Sequence, residues 1–287
     1  MASRIPELFR GLVDDAAVFP PGNSPLPDAV SGHRAHRDAW YADCVGPLLV
    51  PAGAAADLLG TLDAGHRPEP EPLAVAVIAR PGTDRGVLAD GVSVLAADPR
   101  VSVAGVELGW TPDWRRLGLP GELSLALEVP RGRTEQEAAL ADIRVSVAEG
   151  DAVVAKFRTG PTPTWPWPDE AELGTFLRGA AASPVPFKLT GGLHHVVRGT
   201  YEVGHAAEEN HGFLNVLAAT AAVLQGASKA EVEGLLAVRD AAALGQVADA
   251  WADDTAARVR GAFTSFGCCT VTDPIGELAD LGLLTAP

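Results

Sequence analysis

A single-domain (β/α)8 barrel of the TIM type is the fold this sequence predicts, and three observations carry the prediction. The chain has 287 residues, which suits a barrel of about 250 residues with additions. Eight strand-like runs are separated mainly by helix-like ones, and each intervening stretch is long enough for a crossover that returns the next strand parallel. Some runs, LAVAVIA at 73–79 above all, are nearly unbroken apolar segments, as strands covered on both faces are. A doubly wound open sheet is the rival, but no GxGxxG follows the first strand, so its dinucleotide-binding version lacks the usual mark.

Taken in order, residues 6–13 read as a short helix and 14–19 as the first strand, stopped by Pro20-Pro21-Gly22 because proline supplies no ladder donor. A helix over 27–41 leads to a buried strand between Gly46 and Gly53, then to a helix over 54–64 on its alanine and leucine content. An acidic, proline-rich connector at 67–72 delivers the strand at 73–79, and 83–97 reads as helix despite Gly86 and Gly91. In the strand at 101–108, Val103, Gly105 and Glu107 share a face; in that at 123–129, Ser124, Ala126 and Glu128 do, by the period of two. The helix over 134–149 opens on Thr134 and Glu137, the spacing of a capping box.

The strand at 151–158 sets Val154, Lys156 and Arg158 in register. The loop 159–168, with four prolines and two tryptophans, suits a lid or wall beside a pocket. Asp169 begins a helix, 186–190 is a strand with Lys188 and Thr190 on one face, and a helical insertion spans about 208–260. A strand at 265–271 follows, and Thr272-Asp273-Pro274 starts the closing helix with a capping oxygen ahead of a proline.

Composition bounds the function. With 47% hydrophobic and 21% charged residues the chain can bury a large core. Its net charge of −15 repels phosphate backbones and anionic lipid, which argues against nucleic acid and membrane partners. No run approaches the ~18 apolar residues of a membrane span, nor is there a signal-peptide pattern, so a cytoplasmic location is expected. Cys44, Cys268 and Cys269 form neither a disulfide framework nor CxxC pairs, and packing is their expected role.

Chemistry concentrates between Pro186 and Asn215, which hold Lys188, His194, His195, Glu208, Glu209, His211 and Asn215. In a barrel the site lies at the carboxyl ends of the strands. There the last inward residues of strands four to seven would be Glu107, Glu128, Lys156 and Lys188, groups too costly to bury unless paired or liganded. A closed Glu/Lys quartet that only braces the barrel mouth is the structural alternative. Two glutamates with His194, His195 and His211 make a mixed nitrogen and oxygen donor set, which suits iron, manganese or zinc better than magnesium or calcium.

The segments DDAAVFPPG, AKFRTG, PFKLTGGLHH, HGFLN and SFGCCTVTDP resemble those of the TIM-barrel nonheme diiron monooxygenase family, whose members hydroxylate a diterpenoid on the way to platensimycin and platencin or are expected to act on CoA-linked acids. The resemblance implies two iron ions, dioxygen as co-substrate, hydroxylation of an unactivated carbon, and a metal shell drawn from Glu107, Glu128, His194, His195 and His211. An aromatic residue tends to stand in those relatives where Asp15 stands here, so Asp14 or Asp15 is a further candidate ligand or a turn cap. Lys156, Lys188 and Arg158 would hold an acyl thioester, carboxylate or phosphate, with Asn215 nearby, and electrons would come from a separate reductase.

Two other chemistries compete. Lys156 occupies the place where barrel aldolases keep a Schiff-base lysine, with Lys188 able to lower its pKa and Glu128 able to move protons. A metal-dependent hydrolase would instead activate water at one open metal position, with a carbamylated Lys156 as a possible bridge. A non-catalytic binding barrel is the remaining reading.

Overall fold

The computed structural model describes residues 5–65, 71–119, 123–181, 183–203 and 206–286. Eight parallel strands close into a barrel in the order β1-β10-β7-β6-β5-β4-β3-β2. Their ranges are β1 Val13–Asp15, β2 Val45–Pro51, β3 Leu73–Ile78, β4 Val101–Gly109, β5 Leu125–Glu128, β6 Val153–Arg158, β7 Phe187–Thr190 and β10 Phe263–Cys268. Helices α1 Leu26–Asp38, α2 Ala55–Ala64, α3 Arg85–Ala96, α4 Arg133–Glu149 and α5 Glu170–Ala181 make the crossovers between the first six strand pairs, β4 and β5 being joined instead through a short 3-10 turn at Trp114–Leu117. Among the described residues no helix is long and apolar enough to cross a membrane.

Alternation along the strands does the sorting. Phe157 of β6 and Phe187 of β7 point outward onto Phe176 of α5, at ring-centroid distances of 4.6 and 5.5 Å, and Phe187 stacks on Phe263 of β10 at 5.3 Å. Aromatic pairs at such distances contribute about 0.5–1.5 kcal/mol beyond burial. With those rings fixed on the helical side, the period of two turns Lys156, Arg158 and Lys188 into the barrel. Inside, small residues such as Ala76, Ala104, Gly105 and Ala126 leave a cavity of about 300 Å³ below the site, which Asp14, Glu107, Lys188 and Ser265 also line.

Several local expectations differ from what forms. The segment expected as an N-terminal helix is one 3-10 turn, Glu7–Phe9, and the first strand is only Val13–Asp15. Thr134 and Glu137 form no capping box: α4 starts at Arg133 on Gly132, without a side-chain cap, and Glu137 pairs with Arg133 at 3.0 Å instead. The closing helix, α10 at Thr272–Asp280, likewise starts without a side-chain cap. Before the helical region expected at 208–260 stands an antiparallel hairpin, β8 Gly199–Val203 with β9 Ala206–Asn210, whose second strand takes up the first residues of that region; four helices follow: α6 Phe213–Leu224, α7 Lys229–Ala237, α8 Ala241–Asp249 and α9 Asp253–Ala262. Of the connector expected at 67–72, residues 67–70 lie outside the described residues.

Candidate functional site

The parallel register aligns Glu128 with Lys156, Lys156 with Lys188, and Lys188 with Ser265 across β5, β6, β7 and β10. A ring of polar side chains at one height results. Lys156 Nζ lies 2.9 Å from Glu107 Oε2 and 3.1 Å from Glu128 Oε2. Arg158 Nε donates to the other Glu128 oxygen at 3.0 Å. Lys188 Nζ donates to Glu107 Oε1 and, at 2.7 Å, to Asp14 Oδ2, which also accepts from Ser265 Oγ at 2.7 Å. Cations and carboxylates thus alternate from Arg158 through Glu128, Lys156, Glu107 and Lys188 to Asp14, and their formal charges cancel.

Burial would push each ionised group toward neutrality, and pairing decides which way each goes. For Glu107, burial raises the pKa, but Lys156 and Lys188 outweigh it and hold the carboxyl at about 2. Glu128 is likewise raised by burial and, more strongly, lowered by Lys156 and Arg158. Burial works against the Lys188 ammonium, yet Asp14 and Glu107 leave its pKa above the ordinary lysine range. Asp14 is raised, burial outweighing its bond to Lys188.

Above this ring a cavity of about 270 Å³ opens at the carboxyl ends of the strands, where Glu107, Glu128, Lys156, Arg158 and His194 meet Phe19, Arg80, Gly191 and Cys269. His194 Nδ1 stands 3.5 Å from Cys268 Sγ and 3.7 Å from Cys269 Sγ; burial, then His195, lowers its pKa and keeps the imidazole neutral. The stiff loop 159–168 does not wall this cavity, which Phe19, Pro20, Arg80 and Pro81 border instead. Cys269 departs from the packing role expected of it, while Cys44 and Cys268 are buried.

The remaining candidates lie elsewhere. His195 Nδ1 pairs with Glu277 of α10 at 2.6 Å, and its ring stacks on Tyr201 of β8 with centroids 3.4 Å apart. His211 is fully buried, its Nε2 donating to the Pro168 carbonyl at 2.8 Å; burial, then Arg198, lowers its pKa to about 4. Asn215 accepts from the Arg198 backbone N–H at 2.8 Å and donates to the Leu235 and Val238 carbonyls, each at 2.8 Å. It ties the loop before β8 to the end of α7. Asp15 bonds the buried His33 of α1 at 3.0 Å. Glu209 is paired with Arg239 at 2.6 Å on the surface.

The five side chains expected as a metal shell therefore do not assemble into one ligand set: Glu107, Glu128 and His194 share the cavity, His195 and His211 do not. Among the described residues no three His, Cys, Asp or Glu side chains are grouped as a metal site. Both cavity carboxylates are neutralised by ammonium or guanidinium groups, which a metal cation would have to displace. The arrangement is suited to polarising a carbonyl and moving protons around a buried amine.

Reasoning from sequence passed over Phe19, Arg80 and Cys269. Each follows a barrel strand by one to four residues, and that position, just past a carboxyl end, is the signal that marks a residue for the mouth. No family model and no curated protein matches the chain.

Proposed function

We propose that this barrel is a Schiff-base lyase acting on a small carbonyl compound, with Lys156 as the nucleophile. One observation carries the reading: a buried lysine on β6 reaches the mouth cavity between two carboxylates, while a second lysine on β7 shares one of them.

Each neighbour then has a task. Lys188, held protonated by Asp14 and Glu107, shares Glu107 with Lys156, so that Glu128 is the carboxylate left to take a Lys156 proton. Glu128, exposed to the cavity and bonded to Lys156, accepts that proton. The free amine adds to the carbonyl carbon, and Glu128 returns the proton to the carbinolamine oxygen, which departs as water to leave an iminium ion. Glu128, again a carboxylate, takes the proton of a hydroxyl on the substrate β-carbon; that fragment leaves as an aldehyde while the carbon–carbon bond sends its electron pair into the iminium, and the resulting enamine takes the proton back from Glu128 and is hydrolysed to free Lys156. A cavity near 270 Å³ falls just below the about 300–1,000 Å³ of small-molecule sites, which favours a short-chain substrate over a diterpenoid or a buried CoA.

Iron-dependent hydroxylation keeps one observation in its favour, since Glu107, Glu128 and His194 line the same cavity and two carboxylates with an imidazole are donors iron accepts. When bound there, iron would supply oxygen activation. One preparation tests both readings. Borohydride reduction in the presence of short aldehydes and ketones should leave a mass-shifted peptide at Lys156, and Lys156→Ala should abolish it. No adduct at Lys156 across the panel, together with iron retained by protein purified without chelator and lost in Glu128→Ala, would turn the assignment over to the oxygenase.

A further inference from the structure

The charges around the cavity are unlike those of the chain. Against a net charge of −15 for the whole protein, the cavity lining carries three cations, Arg80, Lys156 and Arg158, and two carboxylates, Glu107 and Glu128. Lys156 is engaged by both carboxylates, and Arg158 commits only its Nε to Glu128.

The rest of the Arg158 guanidinium has been given room. A Cβ on Gly191 would stand 2.5 Å from Arg158 Nη1, and Gly191 itself has φ +74, a left-handed conformation that favours glycine. The Gly-Gly turn after β7 therefore lets Nη1 pack against its backbone, and Arg158 and Gly191 both line the cavity. Arg80 projects from the loop after β3, its Cζ 5.0 Å from the Phe19 ring centroid. Both Arg80 and Phe19 border the cavity, and among the described residues no carboxylate pairs with Arg80. An arginine held over an aromatic face presents its N–H edge to an anion, and a planar fork matches carboxylate or phosphate oxygens.

We propose that Arg80 and the free edge of Arg158 form an anion-binding subsite, so that the substrate is a short carbonyl compound ending in a carboxylate or a phosphate monoester. The inference rests on the Schiff-base reading for the carbonyl end and on the two arginines for the other. It makes Arg80 a specificity residue, since it holds the far end of the substrate and leaves the reacting carbon to Lys156.

Borohydride trapping on the full chain separates the cases. Pyruvate, glyceraldehyde 3-phosphate and their uncharged counterparts acetone and glyceraldehyde are titrated, and the concentration giving half-maximal adduct at Lys156 is read by mass spectrometry. At least one anionic compound should label at a concentration tenfold or more below its neutral counterpart, and whichever does so identifies carboxylate or phosphate as the handle. Arg80→Gln should cut that preference at least tenfold, and Arg80→Lys should keep part of it. Equal labelling by charged and neutral compounds, unmoved by Arg80→Gln, overturns the subsite while leaving the lyase reading intact. Absence of any adduct overturns the lyase reading alone; the subsite is then judged by calorimetric binding of inorganic phosphate and malonate, which must weaken in Arg80→Gln for it to survive.

Discussion

Two regions of this chain carry nearly all its unusual chemistry, and they obey different rules. The carboxyl ends of β4 to β7 bring Glu107, Glu128, Lys156 and Lys188 together: Glu128, Lys156 and Lys188 are ladder partners at one height, and Glu107, in register with Ala126 two residues before Glu128, reaches both lysines from the neighbouring strand. The segment from Leu193 to Asn215 is crowded with imidazoles yet disperses them, His194 to the cavity, His195 to Glu277, and His211 to the Pro168 carbonyl. Strand periodicity converts spacing into position. A loop has no such conversion, so adjacency along the chain predicts nothing about adjacency in space.

Removing a cation from the ring should disturb the strand ends most. Lys188 is buried between Asp14 and Glu107, so Lys188→Met leaves Asp14 in the barrel without its cation and Glu107 with Lys156 alone. Breaking one side of a buried ion pair costs about 3–5 kcal/mol, and urea unfolding should show a loss of that size. Adding Asp14→Asn should recover at least about 1 kcal/mol, since the two sites share one network. An unchanged midpoint in the single variant would mean the ring is not charged as described.

A smaller effect, with a signature in pH, distinguishes the buried histidine from the ring. His211 is held neutral in the fold with a pKa of about 4, against an ordinary value of about 6.5 in the unfolded chain. Between those values the unfolded state binds the extra proton, so stability rises with pH. The contribution of His211 is complete above about 6.5 and is lost as pH falls toward 4, a change of about 3 kcal/mol. Glu107, at about 2, loses its contribution only below the ordinary carboxylate range, so the two windows separate. His211→Gln should flatten the slope between pH 6.5 and 4 in denaturation measured across that range, and a slope identical to that of the parent chain would show the imidazole to be protonated or solvated.

How much of this was legible beforehand follows the same division. The eight-strand barrel and the inward set of Glu107, Glu128, Lys156 and Lys188 could be read from apolar run length and period two, because both are local properties that the closed sheet preserves. Their mutual pairing required the register, which only the folded ladder supplies. The hairpin at Gly199–Val203 and Ala206–Asn210 was hidden because its second strand, AAEEN, mixes charge with alanine and runs into the helical region expected from 208, whereas cross-strand bonding sets its pairing. Thr134 and Glu137 have the capping spacing, but α4 begins one residue earlier, at Arg133, so neither stands where its oxygen would meet a free amide. Asn215, expected beside a metal, is instead held by carbonyls at 235 and 238, contacts from residues 20 or more positions away that no local pattern announces.

The variant expected to matter least is at His195, the neighbour of the one histidine that, among the described residues, lines the cavity. Its ring stacks on Tyr201 and bonds Glu277, and the two side chains of that pair keep relative exposures of 20% and 31%. A pair so open to solvent is screened, and Glu277 retains its second bond to the Val196 N–H at 2.7 Å when the imidazole is gone. His195→Ala should therefore cost only about 1 kcal/mol, far less than Lys188→Met, and should leave labelling of Lys156 unaltered. His194→Ala, by contrast, removes a wall of the cavity and should change labelling without a comparable loss in the unfolding midpoint. If the two variants behaved alike in both measurements, sequence adjacency would outweigh placement after all, and the distinction between the strand ends and the segment after them would fall.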